Sequence, residues 1–383
     1  MARIIKMIVL SLFFFLSLRV HAEMSAYPYT DMVKKTMNEF MEKNQIPGAA
    51  VLLYVKGKPY AYYFGYADKA KLKPVTKASI FEIGSISKIM TALLLAEQID
   101  FSKMQLNDSI KKYLPTLSQS LNGITLKQLA THTAGLAPDI PDTVRSEEDL
   151  QNFLAHLTLA HAPMQRWSYS SVGVGVLAKA IEKVSGNDLN QLYIKQILLP
   201  LGMQPIGMNV PKNLQADYAQ GYDHEGKPVL PAKLGFFPGT HHVKVSAGDM
   251  QRFLGAAIGL PNTPAKIFYP MRMTQTAYVQ IPDALQGLGW EIHPLTKYKV
   301  SALLKGDATA RGVKKSEMIE QPTFSSDTLI DKAGVTDGFR AYIAVIPSQQ
   351  SGIVILTNRY SVDSSVVKVG RGILLRVTQW AAV

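Results

Sequence analysis

The chain has 383 residues, 47% of them hydrophobic and 18% charged, with 27 glycines, 21 prolines and no cysteine. This composition excludes a disordered or low-complexity chain, and the missing thiols exclude a disulfide framework, a cysteine nucleophile and any Cys-ligated metal centre. The length predicts two or three structural units, and the formal charge of +12 raises the question of an anionic partner.

Residues 1–22 read as an export leader rather than as part of the fold. Arg3 and Lys6 form a basic start, Met7 to Leu18 an apolar run of twelve, and Val20-His21-Ala22 a cleavage site. The run is too short for a spanning helix, which needs about 20 apolar residues. The expectation is a periplasmic chain, cut after Ala22, with no stable membrane insertion. Losing Arg3, Lys6 and Arg19 leaves a net charge of +9. No Arg/Lys block of five or more follows, so nucleic acid is not expected as a partner. A basic surface that attracts an anionic small substrate or a cell-wall polymer fits the charge better.

Thr30-Asp31 can cap a helix running to about Lys43, with Met32, Val33, Thr36, Met37, Phe40 and Met41 as its apolar stripe. Pro47-Gly48 breaks it. Runs 49–55 and 59–67 flank Lys56-Gly57-Lys58 and predict a hairpin. Helices are predicted over 87–100, 124–132, 147–157, 172–185 and 187–200. A second hairpin, 339–347 with 352–359, turns at Ser348–Ser351, and a final helix covers about 364–380. Strands at both chain ends with helices between them predict an α+β fold. One antiparallel sheet is assembled from both termini and flanked by helices, with an inserted, mostly helical lobe. The expected division is 23–84 with 225–383 for the sheet domain and 85–224 for the helical one.

Chemistry enters at Ser85-Ile86-Ser87-Lys88. The S-x-x-K pattern is cheap, because it recurs at Ser109–Lys112 and Ser365–Lys368. Ser109 follows Asn107-Asp108 in a capping context, and Lys368 reads as a solvated helix face. Ser85 alone follows a short apolar run and a glycine and opens an apolar helix. One turn places Ser85 and Lys88 on the same face. The helix N-terminus favours developing oxyanion charge, and a buried lysine loses solvation and can exchange the serine proton. The bland reading makes Ser85 a cap and Lys88 a solvated side chain. Tyr169, in Tyr169-Ser170-Ser171, stands at a strand-to-helix turn, where cations could hold it as a phenolate base. Lys332-Ala333-Gly334 precedes the last hairpin, and the order S-x-x-K, Tyr, Lys-x-Gly matches enzymes that pair S-x-x-K with K-T-G. The histidines give no helical zinc pair: His241 and His242 are adjacent, and His156 and His161 are five apart. No metal is expected, and His132 reads as a structural loop residue.

From about residue 30 to its end the chain resembles the class C β-lactamases, within the wider family of serine β-lactamases, DD-peptidases and related esterases. The resemblance rests on IPGAAVLLYVKGKPY (46–60), FEIGSISK (81–88), NGITLKQLATHTAGL (122–136), DYAQGY (217–222), QGLGWE (286–291), and DGFRAYIAVIP with GIVILTN (337–358). It implies that Ser85 is the acylated nucleophile and that Lys88 shares its proton. Tyr169 would be the general base, held anionic by Lys332, and the N–H groups of Ser85 and Val335 would form the oxyanion hole. It implies no cofactor, a small-molecule substrate and a monomer.

The same resemblance marks departures. Ser171 stands where the family has Asn, and Ala333 replaces the K-T-G threonine. Val335 and Asp337 replace small or hydroxyl residues, Asp363 and Val366 replace an Asn and an Arg, and Asp139 replaces a Gln. His241 stands where a Tyr walls the site. With Gly334, the residues Ser171, Ala333, Val335 and Asp139 are the candidate substrate contacts, and the changes predict a weak grip on a substrate carboxylate. Three functions stay open: a periplasmic β-lactamase, an esterase or DD-peptidase-like enzyme, and a penicillin-binding or sensor protein that acylates without turnover.

Overall fold

The computed structural model describes residues 28–379, apart from 142, 233–236, 297–299, 306–311 and 362–364. The leader expected over 1–22 and Asp363 therefore lie outside the described residues. Helix α1 (Thr30–Lys43) leads into β1 (Gly48–Val55) and β2 (Lys58–Asp68), with β3 (Lys73–Pro74) behind them. Thr30 does not cap α1: it is the first helical residue and its hydroxyl is buried without a partner among the described residues. Asp31 instead faces the positive end of the helix from the first turn.

After β4 (Ile80–Glu82) comes a mostly helical stretch: α2 (Ser87–Asp100), α3 (Leu126–Ala130), α4 (Glu147–Ala155), short β5 (Arg166–Ser168), α5 (Ser171–Ser185) and α6 (Leu189–Leu192). Helix α3 is shorter than expected, because Thr125 and Gln128 close a capping box at its start. The helix expected over 187–200 is also broken: past Leu192 it widens into a π turn over Tyr193–Leu198, then tightens over Leu199–Leu201 at Pro200. A proline cannot donate the N–H that a regular helix needs there.

The chain returns through β6 (Gly221–Tyr222), β7 (Pro228–Val229), β8 (Lys244–Ser246), α7 (Ala247–Ile258) and α8 (Ala265–Thr274). It finishes with β9 (Ala277–Ile281), β10 (Ala284–Gln286), β11 (Glu291–Pro294), α9 (Val300–Lys305), β12 (Val313–Lys315), β13 (Glu317–Thr323), β14 (Thr328–Thr336), β15 (Phe339–Ile346), β16 (Ser351–Thr357) and α10 (Ser365–Val377). Ten strands form one antiparallel sheet in the order β13-β9-β10-β11-β14-β15-β16-β1-β2-β3. As expected, the two chain ends meet: β1 lies between β2 and β16, with Ala49 opposite Thr357.

The central strands are buried on both faces, which explains their nearly continuous apolar runs. Ala50, Leu52, Ala341, Ile343, Val354 and Leu356 face α7 and the helical stretch. Ala49, Val51, Leu53, Tyr342, Ala344, Ile353 and Ile355 face α1 and α10. The period of two also sorts β14: Ile330 joins the first core, whereas Leu329 and Ala333 join the second. By the same alternation Lys332 points to the helical side and Asp331 to α10.

Candidate active site

Ser85 sits in a tight 3-10 turn, Gly84–Ile86, between β4 and α2. Gly84 has φ +52°, and a Cβ there would collide with the main chain of Val335. A Cβ on Gly334 would strike the Ile83 carbonyl and lie 3.1 Å from the Ser85 nitrogen. The two glycines thus let the Ser85 turn press directly on β14, bringing the main chains of Ser85 and Val335 against one another.

Lys88 lies in the first turn of α2 and is 1% exposed. Its Nζ reaches Ser85 Oγ at 3.2 Å and donates to the Thr240 carbonyl at 2.8 Å. Burial lowers its pKa, the nearby phenol of Tyr169 opposes the shift, and Lys332 adds to it. A buried ammonium with few acceptors gives up its proton more readily than one in water.

Tyr169 occupies the joint between β5 and α5, where Ser170 caps α5 by accepting the Gly173 N–H at 3.0 Å. Its ring centre is 5.0 Å from Lys88 Nζ and 4.7 Å from Lys332 Nζ. Burial opposes ionisation of the phenol. The ammonium groups of Lys88 and Lys332, with hydrogen bonds from Ser85 and Lys88, outweigh it and bring the hydroxyl down to about 8. Lys332 is 2% exposed. Thus Ser85, Lys88, Tyr169 and Lys332, drawn from three distant stretches, converge on one locus. The other S-x-x-K serines do not: Ser109 caps a short turn, with Lys111 on the Leu117 carbonyl, and Lys368 is exposed.

The candidate substrate contacts are more scattered. Gly334 and half-buried Val335 adjoin the Ser85 turn. Ser171 opens α5 and donates its main-chain N–H to the Pro138 carbonyl at 2.6 Å. Asp139 is exposed, and its charge acts on Lys88 and His241. Ala333 and Val366 are buried in one apolar cluster with Tyr342. His241 lies beside Thr240, its Nδ1 2.8 Å from the threonine hydroxyl, and burial with Lys88 nearby pushes its pKa down to about 4.

Sequence reasoning missed two features. The Thr240 carbonyl that holds Lys88 carries no side-chain signal. Glu291, His293 and Asp331 place ligand-type atoms within 4.8 Å of one another, a grouping made by the β11–β14 register rather than by spacing along the chain. An arginine already fills it. Arg371 Nε donates to Asp331 at 2.7 Å, its Nη2 is 2.9 Å from His293, and Tyr342 donates to Asp331 at 2.7 Å. Burial opposes ionisation of Asp331, but Arg371 and His293 prevail and hold its carboxyl well below the usual range. The cluster is an ion-pair network that ties β14 to α10.

The family model described as Beta-lactamase matches residues 33–377. A protein named beta-lactamase from Escherichia coli (strain K12) is 34% identical over 334 residues, covering 86% of this chain and 88% of its own length. The crystal structure of a beta-lactamase/D-alanine carboxypeptidase from Pseudomonas syringae superposes with a TM-score of 0.86 at 30% identity, covering 93% of this chain and 99% of that one. A class C beta-lactamase in complex with cefoxitin gives 0.85 at 31% identity, covering 91% and 98%.

Proposed function

The chain belongs to the beta-lactamase family of serine hydrolases, and we propose that it opens β-lactam amides through an acyl-enzyme on Ser85, in the periplasm. The observation that carries this reading is the Ser85–Lys88–Tyr169–Lys332 convergence, with Lys88 Nζ 3.2 Å from Ser85 Oγ and the phenol brought down to about 8. Tyr169, as phenolate, takes the Ser85 proton as Oγ attacks the lactam carbonyl, with Lys88 sharing that proton. The N–H groups of Ser85 and Val335 stabilise the oxyanion. Collapse breaks the C–N bond, and Tyr169 returns the proton to the leaving nitrogen. Tyr169 then deprotonates a water that attacks the acyl carbonyl, and it returns that proton to Ser85 Oγ as the acyl C–O bond breaks.

A second reading, an esterase or DD-peptidase-like hydrolase on the same site, is favoured by Ala333 and Val366. Both stand where the resemblance implies donors to a substrate carboxylate, and both are buried in an apolar cluster. One assay separates the two: time courses with a chromogenic cephalosporin and a p-nitrophenyl ester. Sustained cephalosporin turnover supports the first reading, ester turnover alone the second. A single stoichiometric burst with both would show an acylating sensor and overturn both. Ser85→Ala is expected to abolish turnover and covalent labelling by a β-lactam or phosphonate probe while keeping the fold. Labelling that persists in that variant rules out Ser85 as the nucleophile.

A further inference from the structure

Tyr169 is flanked in the chain by two main-chain N–H groups, and both are held by one residue. The Ser168 N–H donates to the His132 carbonyl at 2.8 Å, and the Ser170 N–H donates to the His132 ring at Nδ1, 3.2 Å away. The same ring lies 4.5 Å from the Tyr169 ring and 6.0 Å from that of Trp167. His132 is 2% exposed and has φ +61°, a left-handed conformation uncommon outside glycine, in which Asn, Asp and His are the side chains most often found. Burial lowers its pKa well below the ordinary value, and Lys332 and Lys88 lower it further, so the ring is neutral. Because Nδ1 accepts from Ser170, the ring proton is on Nε2, which is buried without a partner among the described residues. A strained backbone and an unsatisfied polar atom at one residue need an offsetting role.

We propose that His132 is a positioning residue for Tyr169: by bracketing it through Ser168 and Ser170 and packing on its ring, it holds the phenol hydroxyl between Lys88 and Lys332. This rests on the reading of Tyr169 as general base. The charges that act on the phenol come from α2 (Lys88) and β14 (Lys332). Asp139 acts on Lys88 and Glu291 feels Lys332, so both reach the phenol through those lysines. A neutral ring adds no third cation to this balance. It also leaves the two ammonium groups with the phenolate as their shared counter-charge.

The test uses His132→Gly and His132→Asn, two residues that accept the positive φ. Glycine removes the ring and its acceptor but keeps the carbonyl, whereas the asparagine amide oxygen can still receive the Ser170 N–H. For each, with wild type and Tyr169→Phe, kcat and KM are measured from pH 5 to 10 together with the melting temperature. The expected result for His132→Gly is a kcat lowered roughly 10- to 100-fold with KM little changed, and an acid limb moved from near 8 toward the free phenol value of about 10. His132→Asn should recover most of both. If His132→Gly melts earlier but keeps the kcat and limb of wild type, His132 is merely structural and the proposal fails. If Asn behaves as Gly, the Ser170 contact is not what positions the base, and the proposal fails in that form. A fully active Tyr169→Phe would instead overturn the general-base reading itself, and the inference with it.

Discussion

At the scale of single residues, the site works by an opposition of burial and charge. Burial makes a phenolate costly, and two ammonium groups within about 5 Å of the ring reverse that cost. Tyr169→Phe keeps the ring packing and removes only the hydroxyl. Its kcat should fall by about 10²–10⁴, the usual worth of a positioned base, with a nearly unchanged melting temperature, as steady-state assays and thermal denaturation would show. The catalytic candidates were legible in the sequence because S-x-x-K, the tyrosine turn and Lys-x-Gly are short local patterns. The part played by His132 was not, since it depends on where residues 168 and 170 come to lie. Local spacing marked it only as a loop residue.

Among the elements, β14 has two faces: Lys332 meets the site on one, and Asp331 and Ala333 pack toward α10 on the other. Val366 is wholly buried in the first turns of α10 and shares its cluster with Ala333. Putting an arginine there, the change that would seem to restore a carboxylate-binding donor, forces a guanidinium into an apolar cluster. Val366→Arg should therefore destabilise the protein by on the order of 3 kcal/mol and leave KM for a cephalosporin no lower. Denaturant titration alongside kinetics would show both, and a stable variant with a lower KM would refute the packing argument. The terminal hairpins were legible because their alternating or continuous apolar runs flank clear turns such as Lys56-Gly57-Lys58. The strands β9, β10 and β13 were not read, being short or, for β13, mostly exposed. The Asp331–Arg371 pair spans 40 residues and exists only because α10 packs on the face of β14 that Asp331 occupies.

For the molecule as a whole, one buried carboxylate on α2 sets a dependence of stability on pH. Neither oxygen of Glu97 has a hydrogen-bond partner among the described residues. Burial raises its pKa to about 7, partly offset by Lys266, reinforced by Asp100 and again offset by Lys103. The folded state therefore holds this proton more tightly than the unfolded chain. The resulting stability is fully present below about 4.5 and is lost as pH rises through 7. Glu97→Gln should raise the unfolding midpoint at pH 8 and change it little or adversely at pH 5. Equal gains at both would exclude titration of Glu97 as the cause.

The pairing of Ala49 with Thr357 brings together residues separated by about 300 positions, a contact of the most non-local kind. Strand β1 lies inside the sheet between β2 and β16, so its β16-facing edge stays unpaired until the last strand, β16, has been made. A ribosome releasing residues in order would hold the β1–β2 hairpin without its β16 partner for most of its synthesis. The topology that joins the two ends also postpones their joining until both have been delivered.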